Sequence, residues 1–145
     1  MPLAIDDIAA DFSAVDDDPR LAMLLDHAKK LPPAPADLLA APDLDARRVR
    51  ECMTPVHLWV LPDADRPGAV RVHVAVAEEA PTVKGVLSIV ARACDRRTPE
   101  EIASFPTDLV GRLGLGSCLR MNRVVGLSAI IARIKREAAI AGGRS

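Results

Sequence analysis

A chain of 145 residues, half of them hydrophobic, fits one domain (1–145) that buries about two-thirds of its unfolded surface and needs no disulfide to hold its core. With 19 basic and 20 acidic residues the formal net charge is −1, and aromatics make up 2%; this argues against nucleic acid as a partner, because neither a basic field nor a base-stacking surface is present. No apolar run approaches the roughly 18 residues of a membrane span, the acidic N-terminus resembles no basic leader, and cysteines at 52, 94 and 118 leave an odd thiol in any disulfide scheme, so a cytoplasmic protein without a membrane partner is expected.

Ile5, Ile8, Phe12 and Val15 fall at helical spacing in a short N-terminal segment that Asp16, Asp17 and Asp18 interrupt. Asp18 as N-cap, with Pro19 at the first helical position, opens a second helix striped by Leu21, Leu24, Leu25 and Ala28. His27 lies off that stripe and is expected to point into solvent rather than toward a metal. Four prolines from Leu31 to Pro42 forbid regular helix or central strand, so this segment is expected to run extended over the surface as a brace.

Arg47, Arg48 and Arg50 then precede Glu51-Cys52-Met53-Thr54-Pro55 and the alternating Val56, Leu58 and Val60 of a buried strand face. Cys52 sits on the entry loop. A thiol attacks only as thiolate, and nearby cations favour that form, so the arginines are expected to lower the pKa of Cys52 while Glu51 opposes them. The alternative is that Cys52 is a small buried apolar residue.

Val70, Val72, Val74 and Val76 supply a second strand, with the turn from Pro62 to Gly68. Keeping both valine rows on one side permits only same-parity registers, the tightest of which sets Val60 opposite Val70, His57 opposite His73 and Trp59 opposite Arg71. Both histidines then lie solvated on an open face and lack a third metal ligand. Trp59 on that face is exposed, over Arg71 or available to anchor a partner.

A helix starts at Pro81-Thr82 and carries Val83, Val86, Leu87, Val90 and Cys94 on its core face. Thr98-Pro99-Glu100-Glu101 is a capping box opening a short helix, and a further short helix around Asp108 to Leu113 stops near Gly114 and Gly116. Cys118 falls in or beside the next connection. One long helix from Asn122 to about Ala139 carries Val124, Leu127, Ile131, Ile134 and Ala138, and a flexible tail follows from about 141 to 145. The fold class is α+β: a small antiparallel hairpin sheet, with or without a short third strand, packed against several helices.

The stretch around Cys52 resembles the cysteine loop of the SufE family, sulfur-acceptor proteins of iron–sulfur cluster assembly. Members commonly read Val-x-Gly-Cys-x-Ser-x-Val-Trp, and Val49, Cys52, Thr54 and Val56 stand at the matching places. A branch reading Glu-Cys-Gln-Ser/Thr-Pro is closer to Glu51-Cys52-Met53-Thr54-Pro55. Glu51 replaces the common glycine and His57 the aromatic; because glycine alone enters positive φ without penalty, the loop is expected to turn differently here. Leu31-Pro32-Pro33, Val83-Lys84-Gly85-Val86-Leu87, Thr98 to Ile102, Leu113-Gly114-Leu115 and Arg123-Val124-Val125-Gly126-Leu127 resemble further family blocks in order, although Arg120 and Met121 stand where Ser/Thr-Pro is usual.

The resemblance implies a SufE/IscU-like fold and sulfur relay without a cofactor or metal. It makes the chain a transfer partner carrying a persulfide on Cys52 rather than an independent enzyme. The implied donor is a SufS-like, pyridoxal-phosphate-dependent cysteine desulfurase, which the chain would stimulate, and the implied acceptor is a SufB-containing scaffold complex. Arg50, Glu51, Met53 and Thr54 would shape the loop and its partner contacts, and the family places Arg123 near the cysteine or the partner. Three rivals remain: an IscU-like cluster scaffold, a thiol oxidoreductase in which Cys118 resolves Cys52, and a non-catalytic regulator of a desulfurase. The sequence leaves open whether the chain forms a homodimer.

Overall fold

The computed structural model describes residues 5–77, 80–116 and 119–142, with the backbone alone at position 122. The chain is α+β, with helices α1 (Ile5–Ser13) and α2 (Asp17–Lys29), the single turn α3 (Ala36–Leu39), and strands β1 (Val56–Pro62) and β2 (Val70–Val76). Helices α4 (Pro81–Cys94), α5 (Pro99–Ala103), α6 (Leu109–Arg112) and α7 (Met121–Gly142) complete it. Among the described residues no helix is long and apolar enough to cross a membrane. Helix α7 continues to Gly142, so residues 141 and 142, expected in a flexible tail, are helical; the rest of that expected tail, 143–145, lies outside the described residues.

Helix α2 starts two residues before the anticipated position. Its N-cap is Asp16, whose carbonyl accepts from the Arg20 amide at 2.9 Å, so Pro19 is the third helical residue. That is tolerated because the first N–H groups of a helix have no intrahelical acceptor to lose. Arg20 then ties three segments together, donating to the carbonyls of Phe12 and Gly114 at 2.9 Å and of Val15 at 2.6 Å. His27 is half-buried rather than solvated: it stacks on Phe12 at 5.9 Å between ring centroids, and its Nδ1 lies 3.3 Å from Arg92 Nη1.

The proline-rich segment is not extended throughout. Between Pro35 and Pro42 no proline intervenes, which leaves room for α3, and a 3-10 turn follows at Leu44–Arg47. Leu31, Pro32 and Pro33 do brace two elements, since they share a small cavity with β2 and the last turns of α4.

The hairpin pairs Val60 with Val72, two residues from the expected register, with His57 opposite Ala75, Trp59 opposite His73 and Leu61 opposite Arg71. Parity is preserved, so Val56, Leu58, Val60, Val70, Val72 and Val74 are all buried on one face. On its edge away from β1, Val70 is also bonded by the backbone that follows α4, donating to Arg97 at 2.9 Å and accepting from Arg96 at 2.7 Å. Strand β1 runs on through Pro62, opposite Val70, and the turn is closed by Asp63 N–H on the Ala69 carbonyl at 3.0 Å, with Gly68 at φ +83°.

Helices α4 and α7 cover the valine face, and α2 packs on α4 from the far side. Gly85 permits that approach, because a Cβ there would overlap the Leu24 carbonyl oxygen. The other sheet face is not open. The 3-10 turn packs on β1, Arg48 makes an isolated bridge to His57, and Trp59 is 1% exposed beside the His57 ring. The exposed, Arg71-facing tryptophan expected from sequence is thus replaced by a core residue. In place of a third strand, the described residues contain this single bridge.

Candidate functional site

Residues 50–55 form a short loop whose two ends are bonded to each other. Val49 N–H donates to the Val56 carbonyl at 2.9 Å, Cys52 N–H donates to the Val49 carbonyl at 3.3 Å, and Ala77 N–H donates to Pro55 at 3.1 Å. The chain must cross from Arg48 back to β1 here, and Pro55, which lacks an N–H, accepts a bond without needing to supply one. Arg133 of α7 fixes the stem by donating to the carbonyls of Arg48 at 2.9 Å and Ala46 at 3.1 Å. The turn needs no positive φ at Glu51; among the described residues the non-glycine with positive φ is Arg96. Glu51, standing where the family pattern has glycine, is therefore accommodated without a positive φ.

Cys52 lies 5% exposed at the base of a groove of about 680 Å³ formed by the loop, the start of α4 and the approach to α7. Its burial rests on Gly126, whose missing side chain lets the loop backbone settle on α7. Desolvation pushes the thiol pKa up, opposed by hydrogen bonds from the Thr54 backbone and hydroxyl and by the charges of Arg123 and Arg48. The expected lowering is thus reversed in this closed arrangement. Burial outweighs the cations, because a charged sulfur loses its water and the attraction of Arg123 and Arg48 does not replace it.

Of the arginines singled out from sequence, two are turned to other tasks. Arg47 pairs with Asp43 at 3.2 Å and Arg50 with Asp45 at 2.8 Å. Arg48 and Arg123 are the pair whose charge reaches Cys52, and Arg123 also donates to Thr82 Oγ1 at 3.4 Å across the groove. Met53 projects from the loop 81% exposed, and Met121 and Val125, one turn apart on α7, are exposed as well. The structure therefore brings Cys52, Met53, Thr54 and Arg123 to one groove and leaves Arg50 outside its lining.

Cys94 is a buried residue of α4 lining a different cavity, and burial pushes its pKa up to about 12. Cys118 lies outside the described residues. Among the described residues no three His, Cys, Asp or Glu side chains are grouped to hold a metal ion. Sequence reasoning missed Gly126 and Arg133 as loop supports. Glycine inside a long helix, where it is disfavoured by about 1 kcal/mol relative to alanine, was the one available signal for the first.

The family profile described as the Fe-S metabolism associated domain, SufE, matches residues 6–138. The chain belongs to the SufE family. Two uncharacterised SufE-like proteins of Mycobacterium tuberculosis, from strains CDC 1551 and H37Rv, are each 35% identical over 137 residues, covering 94% of this chain and 92% of theirs. The solution structure of a hypothetical protein from Thermus thermophilus superposes with a TM-score of 0.80 at 26% identity, covering 99% of both chains. The SufE match, over residues 6–138, takes in the whole cysteine loop and groove.

Proposed function

We propose that this SufE-family protein is a cytoplasmic sulfur carrier, accepting persulfide sulfur on Cys52 from a SufS-like cysteine desulfurase and passing it to a SufB-containing scaffold. The observation that carries the reading is a thiol held closed on a loop with self-bonded ends, beside a groove with Arg123 at its rim. The Cys52 thiolate attacks the outer sulfur of the desulfurase persulfide; a new S–S bond forms on Cys52, the old one breaks, and the desulfurase cysteine leaves as thiolate. The proton left on the terminal sulfur travels with it, and no net electrons move. Regenerating the free desulfurase thiol is how the carrier stimulates its partner.

Burial suits the two stages differently. At rest, the raised pKa keeps Cys52 protonated and slow toward adventitious oxidants. Once the loop opens, water and the charges of Arg48 and Arg123 favour the thiolate that attacks. The coarser assignment to Fe–S metabolism follows from the family itself.

Intact-protein and peptide mass spectrometry after incubation with desulfurase and cysteine provides the test. One additional sulfur atom mapped to Cys52, lost in Cys52→Ser and retained in Cys94→Ala, is the expected result. Sulfur mapped to another residue would remove Cys52 as the carrier thiol, and inhibition of the desulfurase without any sulfur uptake would replace the carrier by a regulator.

A further inference from the structure

We propose that Gly126 is a positioning residue: the seat of the Cys52 loop, whose lack of a side chain sets how readily that loop opens. A Cβ built on Gly126 would lie 3.3 Å from Cys52 Cα, 3.4 Å from the Glu51 carbonyl oxygen and 3.5 Å from Cys52 Cβ. All three neighbours belong to the cysteine loop. The contact is thus between one position of α7 and one six-residue excursion, and added bulk presses on nothing else among these nearest atoms. By contrast, a Cβ on Gly111 would meet no atom within 4 Å.

What yields to such pressure is decided by how each side is held. Position 126 sits inside a 22-residue helix with a continuous hydrogen-bond ladder, and alanine there is intrinsically better than glycine. The loop is anchored most firmly at its ends, where Val49 is bonded to Val56, Ala77 N–H donates to Pro55 and Arg133 holds the carbonyls of Arg48 and Ala46, while between them the exposed Arg50–Asp45 pair and the 3.3 Å bond from Cys52 N–H to Val49 can follow a small shift. Displacement is therefore confined to residues 50–55, which have the open groove beside them. The seat is a balance point, close enough to shelter the sulfur and easily unsettled by one methyl group.

The purpose of this seat rests on the carrier reading; its geometry does not. The experiment compares the full-length chain with Gly126→Ala and Gly126→Ser, measuring iodoacetamide alkylation of Cys52 and of Cys94 by peptide mass spectrometry. The Cys52 rate is expected to rise about three- to tenfold as the open minority grows, with the Cys94 rate and the helical circular dichroism unchanged. Faster amide hydrogen exchange across 50–54, with α7 still protected, accompanies it. An unchanged Cys52 rate with a higher melting temperature, as for an ordinary mid-helix glycine, overturns the proposal. So does an unfolded variant, because then the helix and not the loop has yielded. Failure of the carrier reading is separate: the wild-type chain takes up no sulfur from a desulfurase while the alkylation difference stands.

Discussion

Arg133 donates to the Arg48 carbonyl oxygen at 2.9 Å, so a side chain of α7 holds the stem of the cysteine loop from 85 residues away in sequence. A second bond to Ala46 at 3.1 Å and a pair with Glu137 at 2.6 Å hold the guanidinium in place. Hydrogen bonds from charged donors contribute about 1.5–3 kcal/mol each, so Arg133→Ala is expected to destabilise the chain by about 2–4 kcal/mol in a urea titration. Arg133→Lys should recover only part of this, since an ammonium lacks the planar fork that spans two carbonyls. A loss below about 0.5 kcal/mol would assign the stem to the Val49–Val56 bond alone.

Arg123 precedes Arg48 among the charges that favour the Cys52 thiolate. Arg123→Ala is therefore expected to move the pH profile of Cys52 alkylation to higher pH, and Arg48→Ala to do so by less. Arg123→Lys should retain most of the wild-type profile if charge is what matters. Identical profiles for all three variants would mean that the arginines act only in partner contact.

Cys94 supplies a test at alkaline pH. Its pKa is raised from 9.0 to about 12 in the folded chain, so the native state keeps a proton that the unfolded state releases. Its contribution to stability is fully present below pH 9 and is lost as pH rises toward 12, at up to about 1.4 kcal/mol per pH unit. Guanidinium titrations across that range should show a shallower decline for Cys94→Ala than for the parent chain. Parallel curves would show that Cys94 is not held protonated.

The acid side is governed in part by His27 and His73, both with pKa values below the ordinary 6.5, chiefly because burial disfavours their charged forms. Arg92 and Lys30 add to the effect at His27, against Asp26 and Asp11, while Arg71 adds to it at His73, against Asp95 and Asp37. The contribution of each is present above pH 6.5 and is lost as pH falls through the lowered folded value, because the unfolded chain takes the proton first. His27→Gln should flatten the loss of melting temperature between neutral and mildly acidic pH. An unaltered slope would place the acid sensitivity elsewhere.

Much of the local architecture was legible because it is written in short-range chemistry. Thr98 and Glu101 form the capping box their spacing announces, with Thr98 Oγ1 accepting from the Glu101 amide and Glu101 accepting from the Thr98 amide. The valine alternation fixed which residues face the core, and the apolar stripe of α7 put Leu127, Ile131, Ile134 and Ala138 inside. The loop position of Cys52 followed from the polar arginines before it and the strand after it.

Tertiary contacts decided the rest. Alternation has a period of two, so it cannot distinguish Val60 opposite Val70 from Val60 opposite Val72; the folded hairpin takes the second, with Pro62 opposite Val70 and the Asp63 amide closing the turn on the Ala69 carbonyl. Counting arginines near Cys52 likewise could not tell that Arg47 and Arg50 turn to Asp43 and Asp45 while Arg123, distant in sequence, lies where its charge acts on Cys52. A residue's own neighbours in sequence determine its helix, strand or turn and the side it presents. Whether a thiol is sheltered, and by what, is settled by which distant backbone comes close enough, as Gly126 does for Cys52.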